Sequence, residues 1–385
     1  MAQQPISLPQ AVEAAWQRAA ESTATLGSLH RAQAESATVS AYWAAPPALE
    51  IAQRTDRGLT GNGARETEIG LAVPLWLPGQ RLARRQVVTA DIDVARLQRE
   101  TARLVIAGRV RTAQSEIHLR RVELDLARAE AASLEELSRD VDRRVAAGDL
   151  ARADALAAQA EWLAALARSA QAGEQETQAR LRWRSLTGLD EVPELEAAPH
   201  RAQGTESEIE SHPALREARA RIEASNLKIG LVQSSRRSTP ELVARMRQDA
   251  GGRGAAAVNS LGVALRIPFD TEGRNEPLRV AAQAERELAQ AQERQLETQL
   301  AAAIQAQRLS LTSIDSQLAG EQKRALLLRE RASLIALSFK AGETALPEML
   351  RSLAAASSAE ASARRLQVQR GQATARLRQA LGILP

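Results

Sequence analysis

Few residues in this chain could do catalytic or metal chemistry, and their spacing argues against both. The four histidines, His30, His118, His200 and His212, show no ligand spacing, and the three methionines form no cluster that would hold a soft cation. There is no cysteine, which excludes a disulfide framework, thiolate metal sites and cysteine lipidation in this chain. No G-x-S-x-G, P-loop, H-E-x-x-H or dinucleotide fingerprint occurs. The run Gly251-Gly252-Arg253-Gly254 reads as a hairpin tip. No enzyme activity, no cofactor and no stable metal site is therefore expected. What remains is a matched pair of carboxylates. Asp154 and Glu348 each stand six residues past a glycine, Gly148 and Gly342. What they could do depends on the elements that carry them.

Those elements are helical first. The 385 residues suit two or three ordinary domains or one elongated one. Ala, Leu, Gln, Glu and Arg dominate while aromatics are only 2%, which favours long helices packed along narrow seams over a compact core. Charged residues make up 25% and no run of 18 apolar residues exists, so no transmembrane helix is expected. The net charge is +4, and only Lys228, Lys323 and Lys340 are lysines. Acid and base alternate along the helices as on solvated faces, without a basic patch or stacking aromatics, so nucleic acid is not a predicted partner. The start, MAQQPISLPQAVEAAW, has neither the basic nor the apolar region of a signal peptide. The chain is either cytosolic or begins after a removed leader.

The chain is also a tandem duplication. IGLAVPLWLPGQR (69–81) is echoed by LGVALRIPFDTEGR (261–274), and Pro74 and Pro268 are 194 residues apart. Gly148 and Gly342, and Gly188 and Gly382, repeat at the same offset of 194. Each half predicts a helix, a β-hairpin, a long helix and a return helix. The first repeat covers 1–190, with its hairpin at about 48–77 around a Gly61-Asn62-Gly63 loop, its long helix at 82–145 and its return helix at 150–187. An insert at 191–210, with Pro193, Pro199, His200 and Gly204, separates it from the second repeat, 211–385. There the hairpin is expected at about 241–269, the long helix at 276–339 and the return helix at 344–382. The return strands alternate. Ile69, Leu71, Val73, Leu75 and Leu77 oppose Glu66, Glu68, Gly70 and Ala72; Leu261, Val263, Leu265, Ile267 and Phe269 oppose Ser260, Gly262, Ala264 and Arg266. Val110, Ile117 and Leu124, and Leu300, Ile304, Gln307, Leu311, Ile314 and Leu318, step at coiled-coil spacing. A helix of 64 residues would be about 96 Å long.

Four strands cannot close a barrel with a lumen, and an open sheet in lipid would leave its edges unpaired. Three chains would supply 12 strands, an allowed outer-membrane number, and three sets of four helix tracks beneath. The predicted fold class is therefore mainly α with a small β part. In it, a duplicated repeat of long coiled-coil helices forms a trimeric α-barrel, continued by a 12-stranded transmembrane β-barrel.

With this order of elements, the chain resembles the TolC-like outer-membrane factors of bacterial tripartite efflux systems. The resemblance rests on HPAL (212–215), the strand ends VPL and IPF, the turn segments AGDLARADAL and AGETALPEML, and the endings LTGL and ALGI. It implies a homotrimer in the outer membrane that extends into the periplasm. Its partners would be a periplasmic adaptor, a proton-driven inner-membrane pump and outer-membrane lipid. Adaptor docking would fall at Gly148, Asp149, Leu150, Gly342, Glu343 and Thr344, and a periplasmic gate at Asp154, Glu348 and Arg351. A second acidic position of the family is Ala157 in one half and Arg351 in the other, which suggests an Arg351–Glu348 lock. Ile69, Leu71, Val73, Leu75, Leu261, Val263, Leu265, Ile267 and Phe269 would face lipid, with Trp76 at the interface and Pro78-Gly79 ending the ladder. Parts of the chain look closest to channels of heavy-metal pumps, which makes heavy-metal cations a candidate cargo. The chain departs from the family in having few aromatics for an interfacial girdle and no N-terminal cysteine. The competing readings are a periplasmic adaptor, which would carry one helical hairpin and added β domains, and a soluble coiled-coil scaffold, which would not need alternating apolar strands.

Overall fold

The computed structural model describes residues 6–56, 63–195, 209–252, 254–269 and 272–385. The Gly61-Asn62 loop, Arg253, and Pro199, His200 and Gly204 of the insert lie outside the described residues. The elements in order are α1 (Leu8–Arg18), α2 (Ala20–Ser40), β1 (Ala48–Thr55), β2 (Arg65–Pro74), α3 (Gln80–Ala147) and α4 (Arg152–Thr187). They continue with α5 (Pro213–Ser234), β3 (Glu241–Ala250), β4 (Val258–Arg266), α6 (Glu272–Lys340) and α7 (Leu346–Ala380). None of the described helices is long and apolar enough to cross a membrane.

Two compact units are present, and each draws on both repeats. One comprises residues 1–23, 100–213 and 297–385; the other comprises 24–99 and 214–296.

The first unit is helical. The predicted seams are buried here: Val110, Ile117 and Leu124 lie inside, as does Ile304, with Leu300, Gln307, Leu311, Ile314 and Leu318 half-buried along the same stripe. A core at one end gathers Leu8, Val12 and Trp16 of α1 with Ile106 and Val110 of α3 and Trp183 of α4. The helical stretch that starts at Leu8 breaks at Ala19, whose ψ of 135° is extended. No Gly or Pro marks the break. On either side of it the burial changes: α1 puts five residues into the core while α2 lies mostly in solvent. Cross-links order the long helices laterally as α4–α3–α7–α6: Arg168–Glu130 at 2.9 Å, Arg365–Glu123 at 3.1 Å and Arg329–Glu360 at 2.5 Å. The start of the insert is tied down as well. Gln114 Nε2 donates to the Pro193 and Glu194 carbonyls at 3.0 and 2.9 Å, and Trp183 Nε1 donates to Glu191 O at 3.0 Å.

The second unit holds the four-stranded antiparallel sheet, in the order β1-β2-β3-β4. The two hairpins, one from each repeat, join through β2 and β3, with Gly70 opposite Arg245 and Ala72 opposite Val243. β2 ends at Pro74, so Leu75 and Leu77 lie beyond it; β4 ends at Arg266, so Ile267 and Phe269 lie beyond it too. The ladder stops where Pro74 and Pro268 have no N–H to donate. At this end the chain is stapled rather than free. Leu75 N–H donates to Pro240 O at 2.7 Å, and Arg81 donates to the Val39 and Ser40 carbonyls at 3.0 Å each, capping the end of α2.

Candidate channel elements

Two local structures carry the features that the sequence singles out: the pair of helix reversals in the first unit, and the sheet in the second.

Both reversals are glycine-terminated helix ends of one design. At the first, Gly148 has φ 87°, its N–H donates to Val145 O at 3.1 Å, and Asp149 N–H donates to Arg144 O at 2.9 Å. At the second, Gly342 has φ 81°, with Gly342 N–H on Phe339 O at 3.1 Å and Glu343 N–H on Ser338 O at 3.0 Å. These paired bonds satisfy the last carbonyls of α3 and α6, and the left-handed φ is open to glycine at no cost. The turns lie side by side. Arg144 Nη1 and Nη2 donate to the carbonyls of Phe339 and Lys340 at 3.0 and 3.2 Å, and its guanidinium stacks 4.9 Å from the Phe339 ring. Beneath them a core collects Leu137, Val141, Ala158, Ala165, Phe339, Leu346 and Met349.

Of the predicted docking residues, Gly148, Asp149, Gly342 and Glu343 are exposed. Leu150 and Thr344 are half-buried: Leu150 packs against the core below, and Thr344 Oγ1 shares a hydrogen bond of 2.6 Å with Ser338 Oγ. Those two also brace the turns.

The predicted gate residues separate. Asp154 is the third residue of α4, and its Oδ2 accepts the N–H of Ala151 at 3.2 Å. That is one half of a capping box; alanine has no oxygen to supply the other. Glu348 is the third residue of α7 but reaches outward. One of its oxygens meets Arg331 of α6 at 2.7 Å and the other meets Arg351 at 3.3 Å. The Arg351–Glu348 pair forms, and Arg331, which sequence reasoning passed over, is its second partner. Arg144 and Phe339 were missed too, because a contact across 195 positions leaves no local signal.

In the sheet, the alternation of the strands becomes two faces. Cross-strand rows place Ile51, Ile69, Met246 and Leu261 together, and Leu49, Leu71, Ala244 and Val263 together. The large side chains of these rows are exposed, from Leu71 at 46% to Leu261 at 88%. Leu265, Ile267 and Phe269 are exposed as well, and Leu75 is half-buried. Val73 is the exception in the predicted outward set and is buried, along with Ala72 and Val243. It sits where the α2–β1 connection closes on the strand end, with Ala44 N–H on Pro74 O at 3.1 Å and Trp76 Nε1 on Ala41 O at 3.4 Å.

The opposite face is charged. It carries Glu50, Glu66 and Glu68 with Arg245, Arg247 and Asp249. The two arginines on β3 were not singled out from the sequence. The signal for them is the odd-numbered set Val243, Arg245, Arg247, Asp249 against the even set Leu242, Ala244, Met246, Gln248.

Among the described residues, no group of three or more His, Cys, Asp or Glu could hold a metal ion. His118 Nε2 is tied to Pro193 O at 2.9 Å, and His212 is buried beside Gly382, where a Cβ would come within 2.7 Å of its ring.

Residues 37–189 match the model of the outer membrane efflux protein family. No curated protein matches the chain in sequence. Solved structures match it almost end to end. The outer membrane protein VceC of Vibrio cholerae is 16% identical, with 97% of this chain and 96% of that one covered at a TM-score of 0.79. The transmembrane channel protein CusC is 14% identical, with 98% and 92% covered at 0.82. The MtrE outer membrane channel of Neisseria gonorrhoeae, in its open state, is 17% identical, with 98% and 89% covered at 0.78. At such identities these likenesses carry the fold, which is that of the TolC-like channels: two repeats, each with its own hairpin, and not the single helical hairpin of an adaptor.

Proposed function

We propose that this chain, a TolC-like member of the outer membrane efflux protein family, is the exit duct of a tripartite efflux system, working as a homotrimer. The observation that carries this is the open sheet. Its outer strands, β1 and β4, are exposed at every residue, one face is apolar and the other is charged. An isolated sheet of that kind leaves both edges unpaired and an oily face in water. Three copies joined β4 to β1 give 12 strands, close every edge, turn the apolar face to lipid and the charged face to a lumen.

The helices support the same closure. The lateral order α4–α3–α7–α6 leaves α4 and α6 at the edges, and both expose leucines at heptad spacing. Leu156 and Leu163 on α4 are 59% and 52% exposed, and Leu327 and Leu334 on α6 are 58% and 60% exposed. Each is an unfilled coiled-coil seam, and pairing α6 of one copy with α4 of the next fills both.

In this assembly the chain lies in the outer membrane and extends into the periplasm. The exposed turn residues Gly148, Asp149, Gly342 and Glu343 meet the periplasmic adaptor, which links the duct to an inner-membrane pump. Glu348, with Arg331 and Arg351, forms the periplasmic gate, and Asp154 adds a second ring of carboxylates. Heavy-metal cations are the cargo to test first, given the resemblance to channels of heavy-metal pumps.

The test is extraction and conductance. The protein should need detergent, have the mass of three chains by light scattering, and open ion-conducting channels in planar bilayers. A monomer that is soluble without detergent and does not conduct would overturn the reading.

A further inference from the structure

The charged face of the sheet is built in a way that stability does not explain. Three successive cross-strand rows form it: Glu50, Gly70 and Arg245; then Ala52, Glu68 and Arg247; then Arg54, Glu66 and Asp249. Arg245 Nη2 lies 3.7 Å from Glu50 on β1 and its Nε lies 3.2 Å from Glu68 on β2. Arg247 Nε lies 3.1 Å from Glu66 on β2 and 2.8 Å from Asp249 on its own strand. Two guanidinium groups thus hold four carboxylates. To reach Glu50, Arg245 must cross a whole strand, and it does so over Gly70. A Cβ there would sit 3.4 Å from Arg245 Cγ and 3.7 Å from Glu50 Cβ. Ion pairs this exposed contribute little to folding, so the arrangement calls for a role other than holding the sheet together.

We infer that Arg245 and Arg247 occupy these carboxylates so that the outer part of the duct passes positively charged cargo without retaining it. The inference rests on the trimeric reading above, which turns this face to the lumen. Three copies bring twelve of these carboxylates into one band. A 12-stranded barrel falls between the 8-stranded barrels that side chains fill and the 16-stranded ones that leave an open channel, so its wall charges act across much of the lumen at a Debye length of about 10 Å. Bare carboxylates gathered at that density are the ligand set of divalent cations such as Ca²⁺. A cation held there would block the passage behind it. The two arginines lie against the oxygens that a cation would otherwise take, and together with Arg54 of the third row they cut the charge of these rows from −4 to −1 per chain.

Planar-bilayer recording with Ca²⁺ added on the sheet side tests this. The Arg245→Gln/Arg247→Gln channel should conduct in monovalent salt but be blocked by Ca²⁺ at a concentration about tenfold or more below that which blocks the unaltered channel. Adding Glu50→Gln, Glu66→Gln and Glu68→Gln to that variant should remove the block. An unchanged half-blocking concentration in the double variant overturns the inference. Should the arginine variants fail to assemble, Glu50→Gln/Glu68→Gln alone leaves Arg245 unpaired and should move the reversal potential in a KCl gradient towards anions; an unmoved potential then overturns it. Failure of the unaltered protein to conduct at all would instead overturn the reading of the chain as a channel.

Discussion

The two helix reversals are copies of one design, 194 residues apart, and they differ in what their side chains do. Both end a long helix on a left-handed glycine and both begin the return helix with a carboxylate at its third position. In the first copy that carboxylate, Asp154, turns back onto its own helix start. In the second, Glu348 leaves its helix to bind Arg331 and Arg351. The helix ends are asymmetric in the opposite sense. Arg144 of the first copy reaches over and satisfies the carbonyls of the second, while its counterpart Ser338 bonds only within its own turn. Duplication preserved the backbone, which depends on local residue types, and left the side chains free to divide the work. The first reversal clamps the second, and the second carries the ion-paired charge.

Substitutions at matched positions can break or sharpen that contrast. The largest effect is expected from Phe339→Ala, which empties the core of a buried ring and removes the surface on which Arg144 stacks; thermal or chemical denaturation should show a loss of about 3–5 kcal/mol. The matched Val145→Ala, at a half-buried position, should cost about 1 kcal/mol. Equal losses would mean that the two ends are interchangeable. Next is Arg144→Gln, which forfeits two charge-assisted bonds and should cost about 1.5–3 kcal/mol, against about 1 kcal/mol for Ser338→Ala. Gly148→Ala and Gly342→Ala should each cost about 1–2 kcal/mol, and by similar amounts, because the left-handed backbone is common to both.

The carboxylates should separate by readout. Asp154→Ala should lower stability by about 0.5–1 kcal/mol through the lost cap. Glu348→Ala should scarcely alter stability, since its pairs are exposed, but should raise single-channel conductance more than Asp154→Ala does. The same conductance in both variants would remove Glu348 from the gate.

The smallest effect is a control with pH. Burial pushes the His212 imidazole below its ordinary value of 6.5, so the folded chain favours the neutral ring. Its contribution is fully present above that value and is lost as pH falls through it, because the unfolded chain takes up the proton first. The melting temperature should therefore drop on acidification below about pH 6.5, less steeply in His212→Gln, and without changing the differences between the tip variants.

Much of this molecule was written locally. Period-two alternation between Glu66 and Val73 and between Ser260 and Arg266 marks strands because successive side chains of a strand point to opposite faces. The spacing of Val110, Ile117 and Leu124 marks a seam because it follows the turns of a helix. The glycines at 148 and 342 mark reversals because a left-handed residue ends a helix. All of these act over a few residues, so the sequence by itself determined the elements, the duplication, the two-faced strands and the positions of the turns. It did not reveal the break at Ala19, the burial of Val73, the recruitment of Arg331 by Glu348, the clamp of Arg144 or the reach of Arg245 across Gly70 to Glu50. Each of those depends on which surfaces meet after the chain has folded back on itself. A residue's type limits what it can bind, and only tertiary packing decides which partner is within reach.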